Sequence, residues 1–205
     1  MTDTSGIAVE RVDPTDRARA IDTIVLAFGA DPLIRWLFST PQEYLEEFPS
    51  FVERYAGAAF DADGAYHVHD FAGVALWEPP GTSSAEGRTA EFLSERLEET
   101  AFVDLGTAFE QVNRSYPDDR RWHLPFVGVD PIHQRSGYGS RLLEHVLTRC
   151  DQENVVATLE STNPRNLSLY ARHGFELCET IQIGDVPPIY PMVRTPRSHE
   201  DATSR

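Results

Sequence analysis

The sequence predicts an α/β fold, and three stretches carry that expectation. An apolar run from Leu124 to Val129 passes through Gln134-Arg135-Ser136-Gly137-Tyr138-Gly139-Ser140 into an amphipathic run from Arg141 to Cys150, which reads as strand, glycine loop and helix. Val155 to Leu159 is apolar but for Thr158, as in a parallel strand covered on both faces. Glu160 emerges at its C-terminal end, where open α/β sheets place their sites. Asn163-Pro164 then opens a further helix, with Asn163 as a sufficient N-cap, and Gly174 closes it.

The remaining elements follow from pattern and punctuation. Ile7 to Val12 alternates as a first strand, and Asp13-Pro14 opens a helix on which Ala18, Ile21, Ile24, Val25 and Phe28 recur at helical spacing until Gly29. Asp31-Pro32 opens a second, short helix carrying Leu33, Trp36 and Leu37. Tyr44, Phe48, Phe51 and Tyr55 share one face of the next helical stretch; core packing explains such a stripe, and so does the wall of a pocket for an apolar substrate. His67-Val68-His69-Asp70 puts two imidazoles on one face of a strand, but alternation sends Asp70 to the other face and no third ligand stands at a fixed offset. A solvated strand face is therefore expected, and no metal.

Gly73 to Trp77 continues the sheet until Pro79-Pro80-Gly81 stops it. From Ser83 to Asp119 two helices are expected, with apolar faces of Ala90, Phe92, Leu93 and Leu97, then Phe102, Leu105, Phe109 and Val112. Such a segment either forms a substrate-side lid or merely covers the sheet. In the strand Trp122 to Asp130, Pro125 and Gly128 are both costly, and a local break in pairing beside a ligand would explain each. Phe175 to Ile183 and Ile189 to Val193 finish the sheet, the second at an edge because Pro191 cannot donate to a ladder.

Composition bounds the function. The 205 residues with 40% apolar content suit one globular domain, placed at residues 6–195, with polar ends at Met1 to Ser5 and at 196–205 expected to be disordered. A net charge of −15 argues against a nucleic-acid footprint and is compatible with a cationic substrate. All 18 basic residues are Arg. Cys150 and Cys178 are too few for a disulfide framework, and neither a membrane span nor a basic-then-apolar leader is visible, so a soluble cytoplasmic protein is expected.

Glycines at 137 and 139 permit positive φ and close approach, and the helix that follows offers N–H groups without internal partners; together with Arg135 they suit a phosphate. No Gly-Lys-Ser/Thr follows, and the third glycine position of a dinucleotide fingerprint is Leu142, so neither kind of nucleotide enzyme is expected.

Gln134-x-x-Gly137-x-Gly139 after a Val-Gly-Val strand resembles the acyl-CoA loop of the GNAT superfamily, the acyl-CoA-dependent N-acyltransferases. Asn163, Tyr170 seven positions on and then Gly174-Phe175 resemble its second signature. The resemblance covers residues 120–195 strongly and 6–80 more loosely. It implies a mixed, mostly antiparallel sheet of six or seven strands, with a splayed central parallel pair and helices on both faces. It implies acetyl-CoA as acyl donor, bound by backbone at Val127, Gly128 and Val129, by the loop Gln134, Arg135, Ser136, Gly137, Tyr138, Gly139 and Ser140, and by Asn163 and Asn166. Tyr170 would protonate the departing sulfur; simple packing on Phe175 is the plainer account of that residue.

Acyl transfer to an amine needs a neutral nucleophile, and an alkylamine with a lysine-like pKa of ~10.4 costs about 4 to 5 kcal/mol to deprotonate at neutral pH. Glu160 is the first candidate base, with His123 and Asp130 behind it; a strand-end carboxylate bonded to a neighbouring loop is the plainer account of Glu160. The chain is similar in plan to the puromycin-type, small-molecule branch. The expected reaction is therefore acetyl transfer from acetyl-CoA to a primary amine by direct attack in a ternary complex, by a monomer or homodimer. A peptide-directed N-acetyltransferase and a non-catalytic acyl-CoA-binding module are the alternatives.

Overall fold

A computed structural model describes residues 7–82, 86–117 and 120–197. Among them a seven-stranded sheet runs in the order β1-β2-β3-β4-β5-β7-β6, formed by β1 (Val9–Arg11), β2 (Ala65–Val68), β3 (Gly73–Glu78), β4 (Arg121–Val129), β5 (Val156–Ser161), β6 (Glu176–Leu177) and β7 (Tyr190–Arg194). Every pairing is antiparallel except β4 with β5. The mixed sheet with one central parallel pair is thus the expected one. The expected tail at 196–205 lies outside the described residues from 198 onward, as do Met1 to Ser5.

On one face lie α1 (Arg17–Ala27), α2 (Pro32–Leu37) and α3 (Pro41–Ala56), then, past the short α4 (Ala58–Asp61), α5 (Glu86–Ser94) and α6 (Glu99–Ser115). Their core gathers Ile24, Phe48, Phe51, Leu105 and Phe126. On the other face α7 (Tyr138–Glu153) and α8 (Leu167–Arg172) cover Trp77, Trp122, Leu124, Leu142 and Leu143. Local chemistry sets the helix starts: Asp31 caps α2 by accepting from the N–H of Leu33 and Ile34, with Pro32 at the first position. No helix among the described residues is long and apolar enough to cross a membrane.

β4 carries the feature that positions the site. Leu76 pairs with Phe126 but Glu78 pairs with His123, so β4 has one residue more than β3 over this interval, a bulge at Leu124-Pro125. An extra residue reverses the alternation. Trp122 and Leu124 join the core under α7, whereas Phe126 joins the core on the opposite face. On its other side β4 pairs with β5 only at Arg121, Trp122 and His123; beyond His123 the parallel strands part. Proline is thereby explained by the break in pairing. Gly128 has a different reason from the one expected: a Cβ there would lie 2.7 Å from Ala27 Cβ and 3.2 Å from Ile24 Cδ1, so the glycine serves the close crossing of α1.

Two further expectations are corrected. β7 is interior, between β5 and β6, and the two-residue β6 is the edge. Pro191 is tolerated because its carbonyl accepts from Cys178 N at 2.9 Å, on the β6 side. The amide position of a strand residue faces the same way as its carbonyl, so the missing donor also points to β6, which has already ended. The second correction concerns His69, which is not on a strand face. β2 stops at Val68 and His69, Asp70 and Phe71 turn with φ of 46°, 49° and 67°, leaving His67 stacked on Phe71 and Asp70 bonded to Arg19.

Candidate active site

Glu160 lies on β5 beyond its pairing with β4 and opposite Pro191 of β7, with 7% of its side chain exposed. Three groups converge on it. The Tyr55 hydroxyl, from α3, donates to Oε1 at 2.5 Å; the Tyr116 hydroxyl, just past α6, donates to Oε2 at 3.0 Å; and His123 Nε2, from β4, stands 3.4 Å from Oε2. His123 Nδ1 lies 3.0 Å from Thr158 Oγ1, whose own hydroxyl can donate to the Trp122 carbonyl at 3.4 Å. The two imidazole nitrogens thus face a carboxylate and a hydroxyl, and the carboxylate favours the charged ring.

Electrostatics agree with this assignment. Burial opposes the charge on Glu160, but His123 and the Tyr55 and Tyr116 hydroxyls outweigh it and hold the carboxyl below its ordinary range. Burial likewise opposes the charge on His123, and Glu160 and then Glu78 outweigh it, so the imidazole titrates above its usual value. Glu78 ends β3 directly opposite His123. Burial raises its pKa, with His123 lowering it and Glu160 raising it.

These groups line a cavity of about 820 Å³. Its apolar wall comes from α2, α5 and α6, through residues such as Leu33, Leu93, Phe102, Leu105 and Phe109. The segment between β3 and β4 is therefore a cavity wall rather than only a cover for the sheet, and the stripe on α3 serves both purposes: Phe48 is core, while Phe51 and Tyr55 reach the cavity. Asp31 closes the same space, its Oδ2 accepting from Thr162 Oγ1 at 2.7 Å, which ties α2 to the segment after β5.

Tyr170, on α8, is buried and also lines the cavity. Its ring meets Phe175 edge-on at 6.1 Å, so packing and cavity lining are compatible. Burial raises the phenol pKa, and the Asp31 and Glu160 carboxylates add to the effect, so the hydroxyl holds its proton at neutral pH. Among the described residues it makes no hydrogen bond that would compete for a ligand.

The glycine loop is backbone architecture. Arg135 has φ 64° and Gly137 φ 85°, and α7 begins at Tyr138 with no side-chain cap on its first turn. At Gly139 the nearest neighbours of an added Cβ would be Leu169 Cδ2 at 3.7 Å and Val129 Cγ2 at 3.8 Å, ordinary contact distances. The fold itself thus does not require glycine at 139.

The family model of the Acetyltransferase (GNAT) family matches residues 83–175, across α5, α6, both central strands, the glycine loop and Tyr170. An uncharacterised N-acetyltransferase of Schizosaccharomyces pombe is 28% identical over 220 residues, which take in 96% of this chain and 86% of that one. Residues 83–175 thus carry the match to a GNAT acetyltransferase domain. Two solved structures share the fold. A Corynebacterium glutamicum protein described as histone acetyltransferase HPA2 and related acetyltransferase has a TM-score of 0.64 at 22% identity, covering 93% of this chain and 97% of that one. Arylalkylamine N-acetyltransferase 2 of Aedes aegypti has a TM-score of 0.69 at 14% identity, covering 94% and 100%.

The expected site residues fall into two groups. Val127, Gly128 and Val129 lie on β4 beyond its parting from β5, and the Val129 carbonyl accepts from Gln134 Nε2 at 3.3 Å. Gln134, Arg135 and Gly137 are exposed and Ser136 half-buried. Tyr138 turns its side chain into the core beside the rings of His69 and His133, which leaves only its backbone for a ligand. Ser140 Oγ is 3.0 Å from His173 Nε2. Asn163 caps the turn before α8 by accepting from Arg165 N at 3.1 Å, and Asn166 lines the cavity. Glu160, His123 and Tyr170 all reach that cavity, but Asp130 does not; it caps the turn at residues 131–133 by accepting from Ile132 N at 3.0 Å. Tyr116 and Glu78 escaped the sequence reading. Glu78 carried the signal that had marked Glu160, a carboxylate at the end of an apolar strand.

Proposed function

We propose that this chain, acting as one unit over residues 6–195, moves an acetyl group from acetyl-CoA to the primary amine of a small molecule by direct attack within a ternary complex. The observation that carries the proposal is that one cavity, beside the parting of β4 and β5, is lined by a protonated phenol, Tyr170, and by a buried carboxylate–imidazole cluster. An acid for the leaving thiolate and an acceptor for the amine's proton are what this chemistry requires.

The donor side fits acetyl-CoA on this chain's own geometry. The missing side chain at Gly139, the positive φ at Gly137 and the first turn of α7 suit a phosphate, and β4 beyond His123 is not paired with β5, which leaves that side for an amide-bearing arm. Acetyl-CoA supplies the activated thioester. In this reading backbone N–H groups near Val129 face the acyl oxygen, Tyr170 gives its proton to the sulfur, and the cluster around Glu160 keeps negative charge where the substrate arrives as an ammonium. The cavity wall of α5 and α6 favours a small acceptor over a peptide, which would need an open groove, although one neighbour in fold is described as a histone acetyltransferase.

Thiol release from acetyl-CoA over a panel of amines, with Tyr170→Phe beside the wild type, tests the reading. Turnover on a small amine that falls at least about tenfold in the variant, roughly 1.4 kcal/mol of barrier, is expected. Saturable acetyl-CoA binding with no turnover on amines or peptides would point to a binding module, and turnover on peptides alone to a peptide-directed enzyme.

A further inference from the structure

The carboxylates that line the cavity differ in what already occupies them. Asp31 accepts from Leu33 N, Ile34 N and Thr162 Oγ1. Glu160 has both oxygens engaged by Tyr55, Tyr116 and His123. Glu110 pairs with Arg114. Glu78 also lines the cavity and is largely withdrawn from water, yet among the described residues nothing donates a hydrogen bond to its carboxylate or forms an ion pair with it. Two acids, the half-buried Glu78 opposite His123 and the buried Glu160 beside it, face a single imidazole ring, and the nearby Arg121 turns away, bonding the Pro117 carbonyl and stacking over the Tyr116 ring. One positive charge is missing.

Resting on the transferase reading above, we infer that Glu78 is the carboxylate that binds the substrate's ammonium and takes its first proton, and that the acceptor is a monoamine with an apolar body. Glu160 is then a positioning residue that holds His123 charged and its neighbours in place. A substrate with a second cation would find the other acids of the cavity already occupied, whereas the wall of α2, α5 and α6 offers apolar surface to an alkyl or aryl group. The proton account closes. The ammonium gives one proton to Glu78, and the freed lone pair forms the C–N bond as the C–S bond breaks. The thiolate takes the Tyr170 proton, the second proton leaving nitrogen restores Tyr170, and the proton on Glu78 passes to solvent.

The test compares wild type, Glu78→Gln and Glu78→Asp with 2-phenylethylamine, hexylamine and 1,4-diaminobutane as acceptors, and measures acetyl-CoA binding by calorimetry on the same samples. Wild type should favour the two monoamines over the diamine by at least about tenfold in kcat/KM. Glu78→Gln should lose about a hundredfold on the monoamines while binding acetyl-CoA within about twofold of wild type, and Glu78→Asp should recover part of the loss. A wild type that prefers the diamine, or a Gln variant within about threefold of wild type, overturns the inference and leaves the transferase standing. Loss of acetyl-CoA binding in both variants would make Glu78 a structural residue and also overturn it. A wild type that binds acetyl-CoA without turning over any amine would overturn both readings.

Discussion

The glycine loop presents backbone where the carboxylate cluster presents side chains. The loop takes its form from consecutive residues, 134–140, with left-handed φ at Arg135 and Gly137 and room for a methyl group at ordinary contact distance at Gly139. The cluster gathers Tyr55, Glu78, Tyr116, His123 and Glu160 from separate parts of the chain; Tyr55 and Glu160 alone stand 105 residues apart. A backbone site can be disabled by one methyl group without disturbing the fold around it. A buried charged cluster cannot lose a member so cheaply, because each charge left behind is stranded.

Glu160→Gln is the most severe way to press this difference. It removes the counter-charge of His123, and a loss of about 3 kcal/mol of unfolding free energy in urea is expected, in line with other broken buried pairs. The loss should depend on pH in a defined direction. Glu160 is depressed in the folded state, so its stabilisation is present above its unfolded value of 4.5 and fades as pH falls through the lower folded value. His123 is raised, so its stabilisation is present below its unfolded value of 6.5 and fades as pH climbs through the higher folded value. The difference between wild type and variant should therefore be greatest between pH 4.5 and 6.5 and shrink on both sides; a difference that failed to shrink below and above that window would separate the cluster from its charges.

Gly137→Ala should come next, at about 1 to 2 kcal/mol, the cost of forcing a side chain into the left-handed region at φ 85°. Thermal unfolding would measure it. The smallest expected effect on stability is that of Gly139→Ala, a gain of about 0.4 to 1 kcal/mol from a less flexible unfolded chain, since the added methyl meets nothing closer than 3.7 Å. The same variant should weaken acetyl-CoA binding by about tenfold or more, as read by calorimetry. A stable Gly139→Ala protein that binds acetyl-CoA as the wild type does would remove the loop from the donor site.

Legibility in the sequence follows the same division. The loop, the Asn163 cap and the helices of residues 86–115 were readable because each is written in neighbouring residues with turn, cap or periodic chemistry, whereas Tyr170 was singled out by family resemblance alone. Glu160 and His123 were readable as types at strand positions, but their 3.4 Å approach was not, nor was the part played by Tyr55 and Tyr116, since these depend on which helices lie over the same strand ends. The bulge at Leu124-Pro125 was visible only as an awkward proline. Its partner Gly128 was misattributed because a close helix crossing and a ligand approach ask for the same residue. The interior place of β7 was missed because which side of a strand a proline faces cannot be read from a list of residues.

The fork between β4 and β5 has a further consequence. Since the extra residue and the proline belong to β4 itself, the opening is part of the folded protein and does not wait for a ligand to pry it apart. A ligand entering there meets a preorganised cleft and loses no affinity to opening it. The sheet in turn forgoes hydrogen bonds it could otherwise have made, so a chain with the bulge deleted and the strands closed would be the more robust protein and the poorer enzyme.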